Sequence, residues 1–260
     1  MAKLSPARFF RKRSRAVRNR LSGKSIINHR GSGVINLIDV GSLGKLPEPW
    51  ASNLNFVRNI LSFEPLEKTE IKENILKSSA ALWCEKGPRP FYIYKGFKSS
   101  GSSLFQANIE YVNEHYSELM EKGPQMLAKT WYERAELIRE TVIECETLDN
   151  VLENLSVTYK FDFLKIDAQG AEYEILRGAE KFLREDCQGL QLELFSIPLY
   201  KGIKLRSEVE ALLSEFDFKL VKTFKAHGTF NSQNDCVFLK DKSHPNMDEK
   251  RRVLARIYEL

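Results

Sequence analysis

Four side chains in the second half of the sequence could move a proton: Asp167, Glu172, Glu193 and His227. A carboxylate set against a hydroxyl can take its proton as the oxygen attacks, and a histidine titrates near enough to neutrality to do the same. Asp167 leads because of its surroundings. In FDFLKIDAQGAEYEILRG, residues 161 to 178, Phe161, Phe163, Leu164 and Ile166 form a nearly continuous apolar run, the pattern of a parallel strand covered on both faces. Gly170 then permits a tight turn. Ala171, Ile175 and Leu176 follow at helical spacing, with Glu172 and Glu174 in the first turn, where the helix dipole favours acids. The segment is predicted as strand, acid, helix. Ligands of open α/β sheets bind beyond the carboxyl ends of the strands, where Asp167 falls. An Asp at this point also makes a helix cap, and both roles stay open. Glu193 lies inside the strand-like run GLQLELF, so it either faces the functional edge of a sheet or has a basic partner. His227 occupies the loop KAHGTFNSQ, where a histidine can equally be incidental.

A second set of residues has the spacing of a nucleoside pocket. In VINLIDVGSLG a buried strand ends in Asp39, Gly41 and Gly44, and such a glycine turn lets backbone approach a nucleotide. The next strand, Phe56 to Phe63, ends in Glu64, 25 positions after Asp39. An acid there can accept both ribose hydroxyls of an adenosine, in a methyl-donor fold or a dinucleotide fold alike. Ala80 and Ala81 are small enough for a flat base to lie against. The long, proline-containing loop KLPEPWASN is expected to cover a bound cofactor.

These residues need an α/β sheet to bring them together, and 260 residues suffice for one large domain. A helix-like region at 66 to 75 should lead to a third strand at 78 to 84, and FYIY at 91 to 94 reads as another. A helix is expected from Thr147 and another over 207 to 216, with FKLVKTF and NDCVFLK as closing strands. Residues 85 to 144 form an insertion, expected to set acceptor specificity and to act as a lid. It offers Tyr92, Tyr94, Ser102, Ser103, Tyr111, Trp131 and Tyr132 for stacking or hydrogen bonding. The domain spans 31 to 240, between a basic arm at 1 to 30 and a charged tail at 241 to 260 that could be helical.

Charge sits unevenly on this frame. Residues 1 to 30 hold ten of the 40 Lys and Arg and no acid, leaving 30 basic against 35 acidic residues in the remainder. As a helix, the arm would align Phe10, Val17 and Leu21 on one stripe. It would pack on the domain, or meet an anionic membrane surface or an acidic partner; no stacking pattern supports nucleic acid. No run of about 18 apolar residues exists, and the first residues lack the apolar core of a secretory signal. Cys84, Cys145, Cys187 and Cys236 are scattered without metal or redox spacing, as in a cytoplasmic chain, which the arm could bring to a membrane surface. Oligomeric state and the identity of the acceptor are not legible.

The runs DVGSLG, LSFEP, SSAALW, GSSLF, ETLDNVL, DFLKIDAQGAEYEILRGA, QLELFSIPLY and NDCVFL occur in the order found in FkbM-type methyltransferases, which the sequence resembles over about residues 34 to 240. The resemblance implies a class I, Rossmann-like S-adenosylmethionine fold, with a seven-stranded, mostly parallel sheet, one antiparallel strand and helices on both faces. It implies O-methylation of a sugar, glycan or natural product. Asp39, Gly41, Ser42 and Gly44 resemble the first cofactor motif, Glu64 and Pro65 the ribose-binding acid and its neighbour, Ala80, Ala81 and Leu82 the adenine wall, and Asp167 the acid facing cofactor and substrate. Lys45, Pro47 and Pro49 depart from the commoner glycine loop. Asp167, Glu172 and Glu193 are hard oxygen ligands that would favour Mg²⁺, although no ligand spacing establishes a metal. A non-catalytic binding module and an NAD-dependent oxidoreductase are the rival readings.

Overall fold

The computed structural model describes residues 33–41, 43, 46–241 and 248–260; the basic arm, Ser42 and Gly44 lie outside them. In chain order the strands are β1 (Ile35–Val40), β2 (Val57–Phe63), β3 (Glu70–Lys72), β4 (Ile75–Ser78), β5 (Ala81–Leu82), β6 (Gly87–Tyr94), β7 (Leu137–Glu146), β8 (Phe163–Ile166), β9 (Gly189–Phe195), β10 (Phe218–Thr223) and β11 (Gln233–Lys240). The α-helices are α1 (Ile109–Leu119), α2 (Gln125–Lys129), α3 (Trp131–Arg134), α4 (Leu148–Glu153), α5 (Glu172–Arg177), α6 (Glu180–Glu185), α7 (Arg206–Ser214) and α8 (Asp248–Tyr258).

The main sheet has eight strands in the order β10-β11-β9-β8-β1-β2-β4-β3. From β9 to β4 neighbours are parallel, while β11 is reversed between β9 and β10 and β3 is reversed against β4. The expected seven strands with one reversed are therefore eight with two reversed. The extra strand is β3. Residues 66 to 75 form no helix: Glu73, at φ +50°, turns the chain into a hairpin that pairs β3 with β4. The third parallel strand accordingly ends at Ser78, and Ala81–Leu82 joins a second sheet of order β5-β7-β6.

Alternate side chains of the central strands face two separate cores, the two-residue period of a strand covered on both sides. Ile38, Val40, Leu164 and Ile166 pack against Leu148, Ile175, Leu176, Phe182 and Leu213 from α4 to α7. Ile35, Leu37 and Phe163 face the other way, toward Trp50 and the Leu254, Ile257 and Tyr258 side chains of α8. The tail forms a helix that packs on the sheet, and the proline-containing loop uses Trp50 as an anchor, fully buried 4.9 Å from the Phe163 ring. Among the described residues no helix is long and apolar enough to cross a membrane.

Gln191 Oε1, on β9, accepts from both Trp50 Nε1 (3.0 Å) and Tyr258 hydroxyl (2.8 Å), so one buried amide ties loop, sheet and C-terminal helix together. Tyr258→Phe removes one of two donors and leaves the amide oxygen satisfied. The expected loss of stability is about 1 kcal/mol, read from the urea midpoint. An unchanged midpoint would mean that the bond contributes nothing net.

The insertion is held over the site by a third cluster, in which Tyr94 and Trp131 meet Phe195, Tyr200 and Phe230 at the carboxyl end of β9 and the approach to β11.

Candidate active site

Between the main sheet and the insertion lies a cavity of about 510 Å³, within the ordinary range for small-molecule sites. The sheet side supplies Val40, Gly41, Phe63, Glu64, Pro65, Ala80, Ala81, Leu82, Asp167 and Glu193. The insertion side supplies Tyr94, Ser102, Trp131 and Arg134 among others. Leu43 and, from the proline-containing loop, Pro47 also line the cavity.

At one wall β2 delivers Glu64, whose side chain is brought in by an apolar strand and is 8% exposed. Its Oε1 accepts from the Leu66 N–H at 2.9 Å, which fixes the carboxylate and leaves Oε2 for a ligand. Burial pushes the Glu64 pKa up, and the Leu66 N–H partly offsets that. A pair of ribose hydroxyls presented here would supply the hydrogen bonds a buried carboxylate requires. Behind it, Ala80 and Ala81 leave a flat wall with no long side chain.

At the other wall β8 and β9 bring two acids together. Gln169 Nε2 donates to Asp167 Oδ1 (2.9 Å) and to Glu193 Oε2 (2.8 Å), and Gln233 Nε2 also donates to Glu193 Oε2 (2.6 Å). Gln169 holds an uncommon left-handed backbone conformation at φ +52°, and Ser103 Oγ donates to its carbonyl at 2.7 Å. Such strain persists where surrounding contacts impose it. The Glu193 side chain is 11% exposed and that of Asp167 34%. Burial, then the neighbouring Asp167 charge and a hydrogen bond with it, pushes the Glu193 pKa well above the carboxylate range. Both effects favour the neutral form of the more buried acid.

A family model described as the Methyltransferase FkbM domain matches residues 26–220. The chain belongs to this methyltransferase family. No curated protein and no solved structure matches it.

Three site residues expected from the sequence do not line the cavity of this FkbM domain. Asp39 is buried beside Lys165, its register neighbour on β8, with Nζ to Oδ1 at 3.3 Å; Lys165 also lies 3.8 Å from Asp167 Oδ2. Burial works against the Lys165 charge, but the Asp39 and Asp167 carboxylates outweigh it and raise the pKa. Asp39 thus pairs with Lys165 beneath the site. Glu172 turns back to accept the Ala168 N–H at 2.8 Å, so it braces the β8 to α5 turn; burial raises its pKa to about 8. His227 is bound to Asp235 at 3.1 Å and stands 3.9 Å from Glu193 Oε1, behind the acid pair, and the Asp235 bond raises its pKa.

The Mg²⁺ option finds no support in the arrangement of these acids. Among the described residues no group of three or more His, Cys, Asp or Glu is arranged to hold a metal ion. The reason is geometric: Glu172 is committed to backbone N–H groups and Glu193 to two glutamine amides, so the three acids do not converge.

Of the proposed acceptor contacts, Tyr94, Ser102 and Trp131 line the cavity, whereas Tyr92, Ser103, Tyr111 and Tyr132 do not. Sequence reasoning missed Lys165, Gln169, Gln233, Tyr200 and Arg134. Lys165 carried a readable signal: a lysine inside an apolar strand needs an acid, and Asp39 occupies the equivalent place in another.

Proposed function

We propose that this FkbM-domain protein binds S-adenosylmethionine and methylates a hydroxyl oxygen of a sugar-like or other small hydroxylated acceptor. The observation that carries the reading is the placement of Glu64 and Asp167 on one cavity, at the carboxyl ends of β2 and β8. The residues present fit such a cofactor: a fixed buried carboxylate for the ribose, small side chains for the adenine, and an acid pair where the sulfonium end would face the acceptor. When bound, the cofactor supplies a methyl group already activated for displacement.

The protein's part is then orientation and proton handling. Asp167 holds the acceptor hydroxyl and receives its proton as the oxygen becomes nucleophilic, so no free alkoxide forms. Glu193, protonated, donates to Asp167 and keeps that carboxylate turned to the cavity. Gln169 fixes both. Lys165 offsets the charge beneath them.

Titration calorimetry with S-adenosylhomocysteine tests the reading, with NAD⁺ as control. Saturable binding of the first alone is expected. Glu64→Ala should weaken it by about 1.5–3 kcal/mol, the scale of hydrogen bonds to a charged group. Full affinity in a folded variant removes Glu64 from the pocket, and binding of NAD⁺ alone overturns the function.

A further inference from the structure

The insertion side of the cavity contains a cation whose partners are all neutral. Arg134, at the end of α3, lines the cavity. Its Nη2 donates to Leu127 O and Thr229 Oγ1, each at 2.7 Å, and its Nε donates to Thr130 Oγ1 at 3.3 Å. These bonds fix the plane of the guanidinium and leave Nη1, with two N–H groups, without a hydrogen-bond partner among the described residues. The nearby acids Glu133 and Glu136 turn outward to Lys95, at 3.7 and 3.0 Å. Arg134 makes no ion pair with a described carboxylate, whereas Lys165, the other cation lining the cavity, is set between Asp39 and Asp167. Burial without a balancing carboxylate lowers the Arg134 pKa.

Two further donors line the same cavity, near the Arg134 backbone. Gly96 donates to the Arg134 carbonyl at 3.1 Å, and a side chain at Gly96 would come within 3.6 Å of both Gly101 N and Ser100 Oγ. Neither the Gly101 N–H nor the Ser100 hydroxyl has a hydrogen-bond partner among the described residues, and both residues line the cavity. A fixed guanidinium with an open N–H pair is the complement of an oxyanion, and the amide and hydroxyl are further donors on the same cavity wall.

We propose that this corner binds an anionic group of the methyl acceptor, a phosphate or a carboxylate, placed away from the hydroxyl that meets Asp167. The inference rests on the methyltransferase reading and narrows it: the acceptor is a hydroxylated molecule with an acidic substituent, such as a sugar phosphate or a sugar acid. The two ends of the acceptor are recognised by opposite charges. The anion is held at Arg134, away from the negative Asp167, which orients the acceptor in one direction.

The test is calorimetric titration of the full chain with inorganic phosphate and with acetate, each with and without S-adenosylhomocysteine. At least one anion should saturate, and Arg134→Gln should weaken it about tenfold or more, while Arg134→Lys retains part. Lys98→Gln, on the exposed loop, should leave it unchanged. A preference for phosphate or for acetate identifies which oxyanion the acceptor carries. Saturation by neither anion, or equal affinity in Arg134→Gln, overturns the proposal. Because the bonds to Leu127 and Thr229 also brace the insertion, a second readout uses the wild-type protein: modification of Arg134 by phenylglyoxal, followed by mass spectrometry, should slow when the preferred anion is added. An unchanged rate overturns the proposal as well. Loss of S-adenosylhomocysteine binding, measured in the same series, is the separate failure that would strike the methyltransferase reading.

Discussion

Asp167→Asn is expected to lower methyl transfer by about 100- to 10,000-fold, the range for losing a positioned general base, while S-adenosylhomocysteine affinity changes little. Glu193→Gln should cost less than about tenfold, although Glu193 is the more buried of the two acids. The asymmetry follows from where the proton sits. A neutral Glu193 donates a hydrogen bond to Asp167, and a glutamine amide can donate the same bond; an asparagine at 167 cannot take a proton from the acceptor. Labelled methyl transferred to an acceptor that the wild type uses is the measurement. Equal losses in the two variants would mean that the acids act as one unit with no division of roles.

Gly41→Ala is expected to leave little folded protein. Gly41 has φ +84°, and a Cβ built there lies 1.7 Å from the Asp167 carbonyl oxygen. The backbone cannot retreat, because the Asp167 N–H donates to the Val40 carbonyl at 2.9 Å and holds the ends of β1 and β8 together. The left-handed conformation costs about 1–2 kcal/mol for an L-residue, and overpacking adds about 1–3 kcal/mol or more. Those sums are a large share of the roughly 5–15 kcal/mol that keeps a domain folded. A urea midpoint equal to that of the wild type would show that the two loops can part without cost.

The residues most legible in the sequence are those whose neighbours enforce one conformation. Glu64 and Asp167 each follow an apolar run that must be a buried strand, so their place at a strand end is readable from the order of residues alone. GLQLELF coincides with β9 for the same reason. Residues 66 to 75 misled because β3 and β4 are short, and neither gives enough periods to separate strand from helix. The pairing of Asp39 was hidden at a different level. An acid before a glycine turn looks available to a ligand, but strand register sets it against Lys165, and register is a property of two segments far apart in sequence. Gln169 and Arg134 were invisible for want of any pattern. One depends on a left-handed backbone imposed by its turn, the other on a four-residue helix inside the insertion.

The burial of Trp50 also bears on how the chain can fold as it is made. Its amide partner Gln191 lies 141 residues downstream, and its ring neighbour Tyr258 further still. A chain emerging amino end first forms β1 and β2 long before β8 and β9 exist to flank them, and α8 later again. Contacts this distant are slow to close, and chains that wait with apolar surface showing are exposed to aggregation. The nascent protein must therefore keep a central strand and a tryptophan unsatisfied until Tyr258 has left the ribosome.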